Sequence, residues 1–304
     1  PLSPLQGVGV NEPQPDEALI NSVAAVVGEP ATAWRRVVGG YTPAARWHAT
    51  FASGATAFVK AGATADTSTW LRREAAFYSS VTAPFLPRFL GYEDAPDAPL
   101  IVLEDLSEAH WPPPWEAGHI ERVLATLGEV ARTTPPPGLR RLTDTAGEMF
   151  NGWRVIAADP EPFLSLGVCS AQWLSANLPR LLAAEDAARG MVDGDELLHF
   201  DVRSDNLCFT ADRTLFVDWN HACIGNVLVD VAAWLPSLEF EGGPPPEEVA
   251  PAASEFAALI TGYFAAQAGL PNIPDAPFVR RVQREQLSTA LPWTIRALRL
   301  PNPS

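Results

Sequence analysis

The chain has 304 residues, 47% of them hydrophobic, with 21 Lys and Arg against 36 Asp and Glu and a formal net charge of −15. That length can bury a large core or divide into two lobes. The acidity argues against nucleic acid or an anionic membrane as partner and is compatible with a cationic one. No apolar run approaches the roughly 20 residues of a membrane span. No basic-then-apolar leader opens the chain, and three cysteines (Cys169, Cys208, Cys223) point to a reduced, cytoplasmic setting.

In chain order, Asp16–Val27 reads as a short amphipathic helix with Asp16 as its cap. Three strand-like runs follow, Trp34–Val38, Arg46–Ala52 and Ala55–Ala61, the second ending at the turn Ser53-Gly54. Thr67–Val81 reads as a helix capped by Asp66 or Thr67, because Trp70, Leu71, Glu74, Phe77 and Val81 recur at helical spacing. Arg88–Glu93 and Leu100–Leu103 read as two more strands. Three proline runs, at 112–114, 135–137 and 244–246, read as stiff surface connectors. Beyond Trp111 the pattern turns helical, at Glu116–Thr133, Thr143–Ala158 and Ala171–Arg189. After the short strands around Leu198–Trp219 come Val227–Leu238, Pro246–Ala268 and Pro277–Leu300. The expected fold class is α+β. A β-rich lobe with one inserted helix (1–106) precedes a larger helical lobe (107–304), with a ligand cleft between them.

The chemistry concentrates in His199-Phe200-Asp201, with Asn206 five residues on and Asp218 ending the apolar run Leu215-Phe216-Val217. An acid, an amide and a second acid at these offsets suit a Mg-ATP phosphotransferase. Asp201 would accept or orient the proton of an attacking hydroxyl, and Asn206 and Asp218 would hold Mg2+ against the phosphates. His199 reads as a brace for the loop, and Asp230 as an anchor for its backbone. Of the 21 basic Lys and Arg residues only Lys60 is a lysine, which marks a site needing a compact ammonium instead of a planar fork. Glu74, inside the next helix, could hold that ammonium over the α- and β-phosphates. Gly40, in the Gly39-Gly40 loop, could cover phosphates with backbone N–H groups. The strand ending at Glu104 and Leu106 could be a hinge that bonds adenine through its backbone.

His199-Phe200-Asp201-Val202-Arg203-Ser204-Asp205-Asn206, with Val217-Asp218-Trp219 and the segment from Gly225 to Asp230, resembles the aminoglycoside phosphotransferase family. That family, with the choline kinases and related small-molecule kinases, shares the protein-kinase-like fold. The resemblance spans about Val37 to Leu238. It implies a bilobal fold and transfer of the γ-phosphate of ATP or GTP to a hydroxyl of a small molecule. It also implies Asp201 as base, Asn206 and Asp218 as metal ligands, Lys60 with Glu74 as the phosphate-positioning pair, and nucleotide at Glu104–Leu106. Trp219-Asn220 follows Asp218 where protein kinases carry Phe-Gly, and no Ala-Pro-Glu segment follows, which argues against a protein substrate. For the acceptor, Arg203, Trp234 and Trp293 are candidate contacts. Glu239 and Glu241 could meet an amine. Aminoglycosides, other antibiotics, amino alcohols and sugars all stay open as acceptors, as does the choice between monomer and dimer.

Two other readings compete. One is a catalytically silent nucleotide-binding protein, against which the intact set Lys60, Asp201, Asn206 and Asp218 speaks. The other is a metal-dependent hydrolase built on His199, Asp201, Asp218 and His221, a set poor in histidine and carboxylate ligands for such a site.

Overall fold

The computed structural model describes residues 14–37, 43–96, 98–274 and 276–303. Gly40 therefore lies outside the described residues. The chain divides into two compact units, one of residues 1–72 with 88–107 and one of residues 73–87 with 108–304.

In the first unit, α1 (Glu17–Val27) precedes the strands β1 (Ala31–Arg36), β2 (Ala45–Phe51) and β3 (Thr56–Ala61). Helix α2 (Ala65–Ser80) begins here and continues into the second unit, and β4 (Phe89–Glu93) and β5 (Leu100–Glu104) complete the sheet. The strand order is β1-β2-β3-β5-β4, antiparallel throughout. Asp16 caps α1 by accepting the Leu19 N–H at 2.8 Å, which satisfies one of the donors a helix start leaves open.

Alternation along the strands decides which side chains form the core. Trp47, Ala49 and Phe51 of β2, Ala57, Val59 and Ala61 of β3, and Leu100 and Val102 of β5 join Trp34 and Val23 in one buried cluster. Lys60 falls out of step with that set, so it lies on the opposite face, opposite Arg46 on one neighbouring strand and Ile101 on the other. Gly91 is required for packing: a Cβ there would meet Val26 Cγ1 of α1 at 2.5 Å.

The cap of α2 differs from the expected Asp66 or Thr67. Thr64 Oγ1 accepts the Thr67 N–H at 3.2 Å and Thr67 Oγ1 accepts the Thr64 N–H at 2.8 Å. This is a reciprocal capping box in which threonine takes the place of the usual acid.

The second unit carries α3 (His119–Arg132), α4 (Thr143–Met149), α5 (Gly152–Ala158), α6 (Glu161–Leu164) and α7 (Ala171–Arg189). Strands β6 (Glu196–Leu198), β7 (Leu207–Phe209), β8 (Thr214–Phe216) and β9 (Cys223–Gly225) come next. Then follow α8 (Leu228–Phe240), α9 (Pro246–Val249), α10 (Ala257–Ala268) and α11 (Val279–Ala297). The strands form two small antiparallel pairs, β6 with β9 and β7 with β8.

Two expected single helices are broken. Thr143–Ala158 divides into α4 and α5 at Phe150-Asn151, where Gly152 closes onto α10. A Cβ on Gly152 would sit 1.9 Å from the Gly262 carbonyl oxygen. Pro246–Ala268 divides because Pro251 offers no N–H and pushes Ala250 out of the helical region, to φ −145°. A 3-10 turn, Pro251–Phe256, then leads into α10. Among the described residues no helix is long and apolar enough to cross a membrane.

Candidate active site

The segment after β6 is held by backbone bonds to buried side chains. Asp230, in the first turn of α8, accepts the N–H of His199 at 2.7 Å and that of Phe200 at 2.8 Å. It is 1% exposed. Burial pushes its pKa up to about 7, against the opposite pull of the two amides. The bonds fix Phe200 at φ +65°, a left-handed conformation that L-residues avoid. Phe150, at the break before α5, meets Phe200 edge-on at 6.2 Å.

His199 is fully buried, and its tautomer follows from its partners. Nδ1 accepts the Asp201 N–H at 3.2 Å, so Nε2 must carry the proton and donate to the Val217 carbonyl at 2.8 Å. Burial lowers its pKa, with the nearby Asp201 acting in opposition, so the ring is neutral near pH 7. Both nitrogens are committed to backbone, so the histidine ties the Asp201 turn to the end of β8 and has no lone pair for a metal. That weighs against the hydrolase reading.

Asn206 joins the two acids. Its Nδ2 donates to the Asp201 carbonyl at 2.9 Å and to Asp201 Oδ2 at 2.8 Å. These bonds fix the amide, directing its Oδ1 away from Asp201. The Asn206 carbonyl accepts the Val217 N–H at 2.9 Å, which sets Asp218 beside it. Asp218 itself is left-handed, at φ +66° and ψ +55°. Non-glycine residues in this region are strained and concentrate at functional sites. Asn206 Oδ1 and the Asp218 carboxylate are hard oxygen donors, a set that suits Mg2+. Behind them Trp219 is buried, donates to the Phe216 carbonyl at 2.9 Å and stacks flat on Phe77 of α2 at 4.4 Å.

Glu74 is 1% exposed on α2. One turn later Tyr78, fully buried, lies in the fields of both Glu74 and Asp218, and burial raises its phenol well above the ordinary value. Tyr78 thus joins the neighbourhoods of two expected site residues. The only hint in the sequence is its four-residue spacing from Glu74.

In the first unit Lys60 is 9% exposed. The Glu104 N–H donates to the Arg88 carbonyl at 2.8 Å and its carboxylate accepts the Arg88 N–H at 2.9 Å. The Glu104 N–H is thereby engaged within the sheet and is not a donor to a ligand. Leu106, two residues on, is buried.

The acceptor expectations need correction. Trp234 and Trp293 have no exposed surface. Trp293 reaches Ser254 at 3.3 Å and Trp234 packs against Trp115 at 5.7 Å. Large aromatic side chains on these helices fill the core and present no face to a ligand. Arg203 forks onto Asp205 at 3.0 and 2.6 Å, the bidentate geometry typical of this pair. Glu241, considered as an amine ligand, accepts instead from Trp115 Nε1 at 2.9 Å and from Ser204 Oγ. That link pins the Trp111–Trp115 connector to the Asp201 loop.

The sequence profile of the APH phosphotransferase enzyme family matches residues 33–270. No curated protein matches the chain. Among solved structures, spectinomycin phosphotransferase APH(9)-Ia, in complex with ADP and spectinomycin, aligns with a TM-score of 0.61 at 13% identity. The alignment covers 95% of this chain and 100% of that one. A thermostable mutant of aminoglycoside phosphotransferase APH(4)-Ia, with ADP and hygromycin B, aligns at 0.57 and 14%, covering 93% and 98%. A choline/ethanolamine kinase family protein from Mesorhizobium loti aligns at 0.58 and 15%, covering 92% and 97%. Likeness at these identities is likeness of fold, and it agrees with the α+β kinase-like architecture expected from the sequence. With the profile matching well over half of its length, the chain belongs to the APH phosphotransferase enzyme family.

Proposed function

We propose that this protein is an ATP-dependent O-phosphotransferase that moves the γ-phosphate of ATP, or of GTP, to a hydroxyl group of a small molecule. The observation that supports this most strongly is the Asp201–Asn206 pair. Asn206 Nδ2 takes Asp201 Oδ2, and Oδ1 is left to accept or orient the hydroxyl proton. The same amide presents its own oxygen as a metal ligand next to Asp218. Bound Mg2+ would offset the charge on the phosphates. His199 and Asp230 keep the loop in place without touching the reacting atoms.

On this reading Lys60 contacts the α- and β-phosphates with Glu74 orienting it. The carbonyl of Glu104 and the backbone of Leu106 meet the adenine, and Gly40 belongs to the loop over the phosphates. The family supports the reaction type, and the neighbours solved with ADP support nucleotide binding. The test is an ADP-release screen with Mg-ATP and Mg-GTP across aminoglycosides, peptide and macrolide antibiotics, choline, amino alcohols, sugars and sugar acids. A product heavier by one phosphate identifies the acceptor. Calorimetry showing no Mg-dependent nucleotide binding would overturn the reading.

A further inference from the structure

The Asp201 loop has a second anchor, at the far end of α8 from Asp230. Helix α8 closes in a Schellman turn. The Gly242 N–H donates to the Glu239 carbonyl at 3.0 Å and the Gly243 N–H to the Leu238 carbonyl at 2.9 Å, with Gly242 left-handed at φ +92°. A Cβ on Gly243 would meet Leu238 Cδ1 at 2.6 Å, so the turn needs a glycine there too. Glu241 is the cap residue of this turn, and the turn fixes where its side chain leaves the helix.

Both Glu241 oxygens are engaged within the protein. Oε1 accepts from Ser204 Oγ, and Oε2 accepts from Trp115 Nε1 at 2.9 Å. Trp115 is itself held, with its ring 5.7 Å from that of Trp234 on α8 and 6.3 Å from that of Phe209 on β7. Bonds to a carboxylate are stronger than bonds between neutral groups, so the pair of donors keeps Glu241 in one place.

Ser204 is buried and lies between the candidate base and the candidate metal ligand. It opens the 3-10 turn Ser204–Asn206, in which the Asn206 N–H donates to the Arg203 carbonyl at 2.9 Å. Asn206 in turn grips Asp201 through Nδ2. Asp230 therefore holds the chain before Asp201 and Glu241 holds it after, from points about 16 Å apart along one helix.

We propose that Glu241 is a positioning residue for phosphoryl transfer. Through Ser204 it sets Asp201 against the Asn206 amide, and it does so without touching the acceptor. The inference rests on the phosphotransferase reading and deepens it. The rival role for this carboxylate is a ligand for an amine of the acceptor, and glutamine separates the two. A serine hydroxyl can donate or accept. Glu241→Gln can therefore accept from Trp115 through its oxygen and donate to Ser204 through its amide, which keeps the link and removes the charge.

The test uses the full chain. Hydrogen exchange without any ligand reads the order of the loop. Peptides covering residues 199–206 should exchange at least about tenfold faster in Glu241→Ala and close to the wild-type rate in Glu241→Gln. ADP release from Mg-ATP, with water alone and with kanamycin, choline and glucose as probes, reads turnover. In Glu241→Ala kcat should fall roughly 10- to 100-fold, while KM for ATP and for each probe changes by less than about threefold. Glu241→Gln should recover most of the lost kcat. Ser204→Ala should lose as much as Glu241→Ala, and the double variant no more than either, because both remove one link. Three results overturn the proposal: unaltered exchange of the loop in Glu241→Ala, additive losses in the double variant, or a Glu241→Gln variant as impaired as the alanine. If the last comes with a raised KM for kanamycin and choline but not for glucose, Glu241 is an amine ligand. If Glu241→Ala does not fold, Ser204→Ala breaks the same link and carries the decision. The expected exchange pattern in a wild type that neither binds ATP with Mg2+ nor releases ADP would sink the phosphotransferase reading and leave the anchor standing. ADP release indifferent to both alanine variants would do the reverse.

Discussion

Replacing Asp230 tests whether the Asp201 loop is held in place by α8. Asp230→Ala removes the acceptor that, among the described residues, serves the buried His199 N–H and the part-buried Phe200 N–H. Each orphaned donor costs about 1–3 kcal/mol, so the pair costs about 2–6 kcal/mol. Relaxation of Phe200 from its left-handed conformation returns about 1–2 kcal/mol. Removing a buried carboxyl whose pKa burial pushes up to about 7 returns part of the rest. The net expectation is a loss of roughly 1–3 kcal/mol. The relaxation that softens this loss also moves Asp201, one residue beyond Phe200. A displacement of about 1 Å costs on the order of 10²-fold in turnover. Asp230→Asn keeps one acceptor oxygen and places an N–H donor against the second amide, so it should rank between the wild type and the alanine variant. Urea unfolding followed by tryptophan fluorescence gives the stabilities, and ADP release gives kcat. If Asp230→Ala unfolds within about 0.5 kcal/mol of wild type and keeps its kcat, the loop is not held by α8 and the reasoning fails.

Asp201→Ala should lower turnover by roughly 10²–10⁴ with nucleotide affinity nearly unchanged, measured by ADP release beside calorimetry. Lys60→Arg should be strongly impaired despite keeping its charge, since a planar fork cannot replace a compact ammonium on the buried strand β3; a normal kcat/KM would make the lone lysine a coincidence. Gly152→Ala should destabilise by at least about 1–3 kcal/mol in urea, because its Cβ would overlap the Gly262 backbone, which cannot swing away as a side chain would. Glu185 accepts the Trp153 N–H at 3.0 Å through one oxygen, the other is buried without a partner, and burial raises its pKa to about 7. Its folded form thus binds its proton more tightly than the unfolded chain does, so its favourable contribution is complete below about pH 4.5 and is lost as pH rises through about 7. Glu185→Gln keeps the acceptor and cannot ionise, so it should gain up to about 3 kcal/mol on wild type between pH 5 and 9; parallel stability profiles for the two proteins would refute this.

Why the loop could be read in the sequence and other parts could not has a physical basis. Asp201 and Asn206 are five residues apart on one turn, and Asp218 follows an apolar run that can only be a short strand. Local spacing therefore carries most of the geometry. The place of Lys60 off the core face follows from alternation along β3, and composition makes the residue singular. The breaks at Phe150-Asn151 and at Ala250-Pro251 were each missed in a different way. The second had a local signal in Pro251. The first depends on Gly152 meeting Gly262, 110 positions along the chain, and nothing near residue 150 announces it. The capping box of α2 was missed because threonine at the third position does the work usually given to an acid.

The acceptor side shows the limit most clearly. Trp234 and Trp293 drew attention because tryptophan is conspicuous in a sequence, yet large aromatic surfaces are what a helical core needs, and both are buried. A binding function distributed over several helices leaves no spacing signal, because the meaningful distances are set by how those helices pack. A phosphoryl-transfer loop must hold an acid, an amide and a second acid within a few ångströms of one another, and a single short stretch of chain can do that. Acceptor recognition must span a whole molecule, so its residues come from separate helices and share no fixed spacing along the sequence.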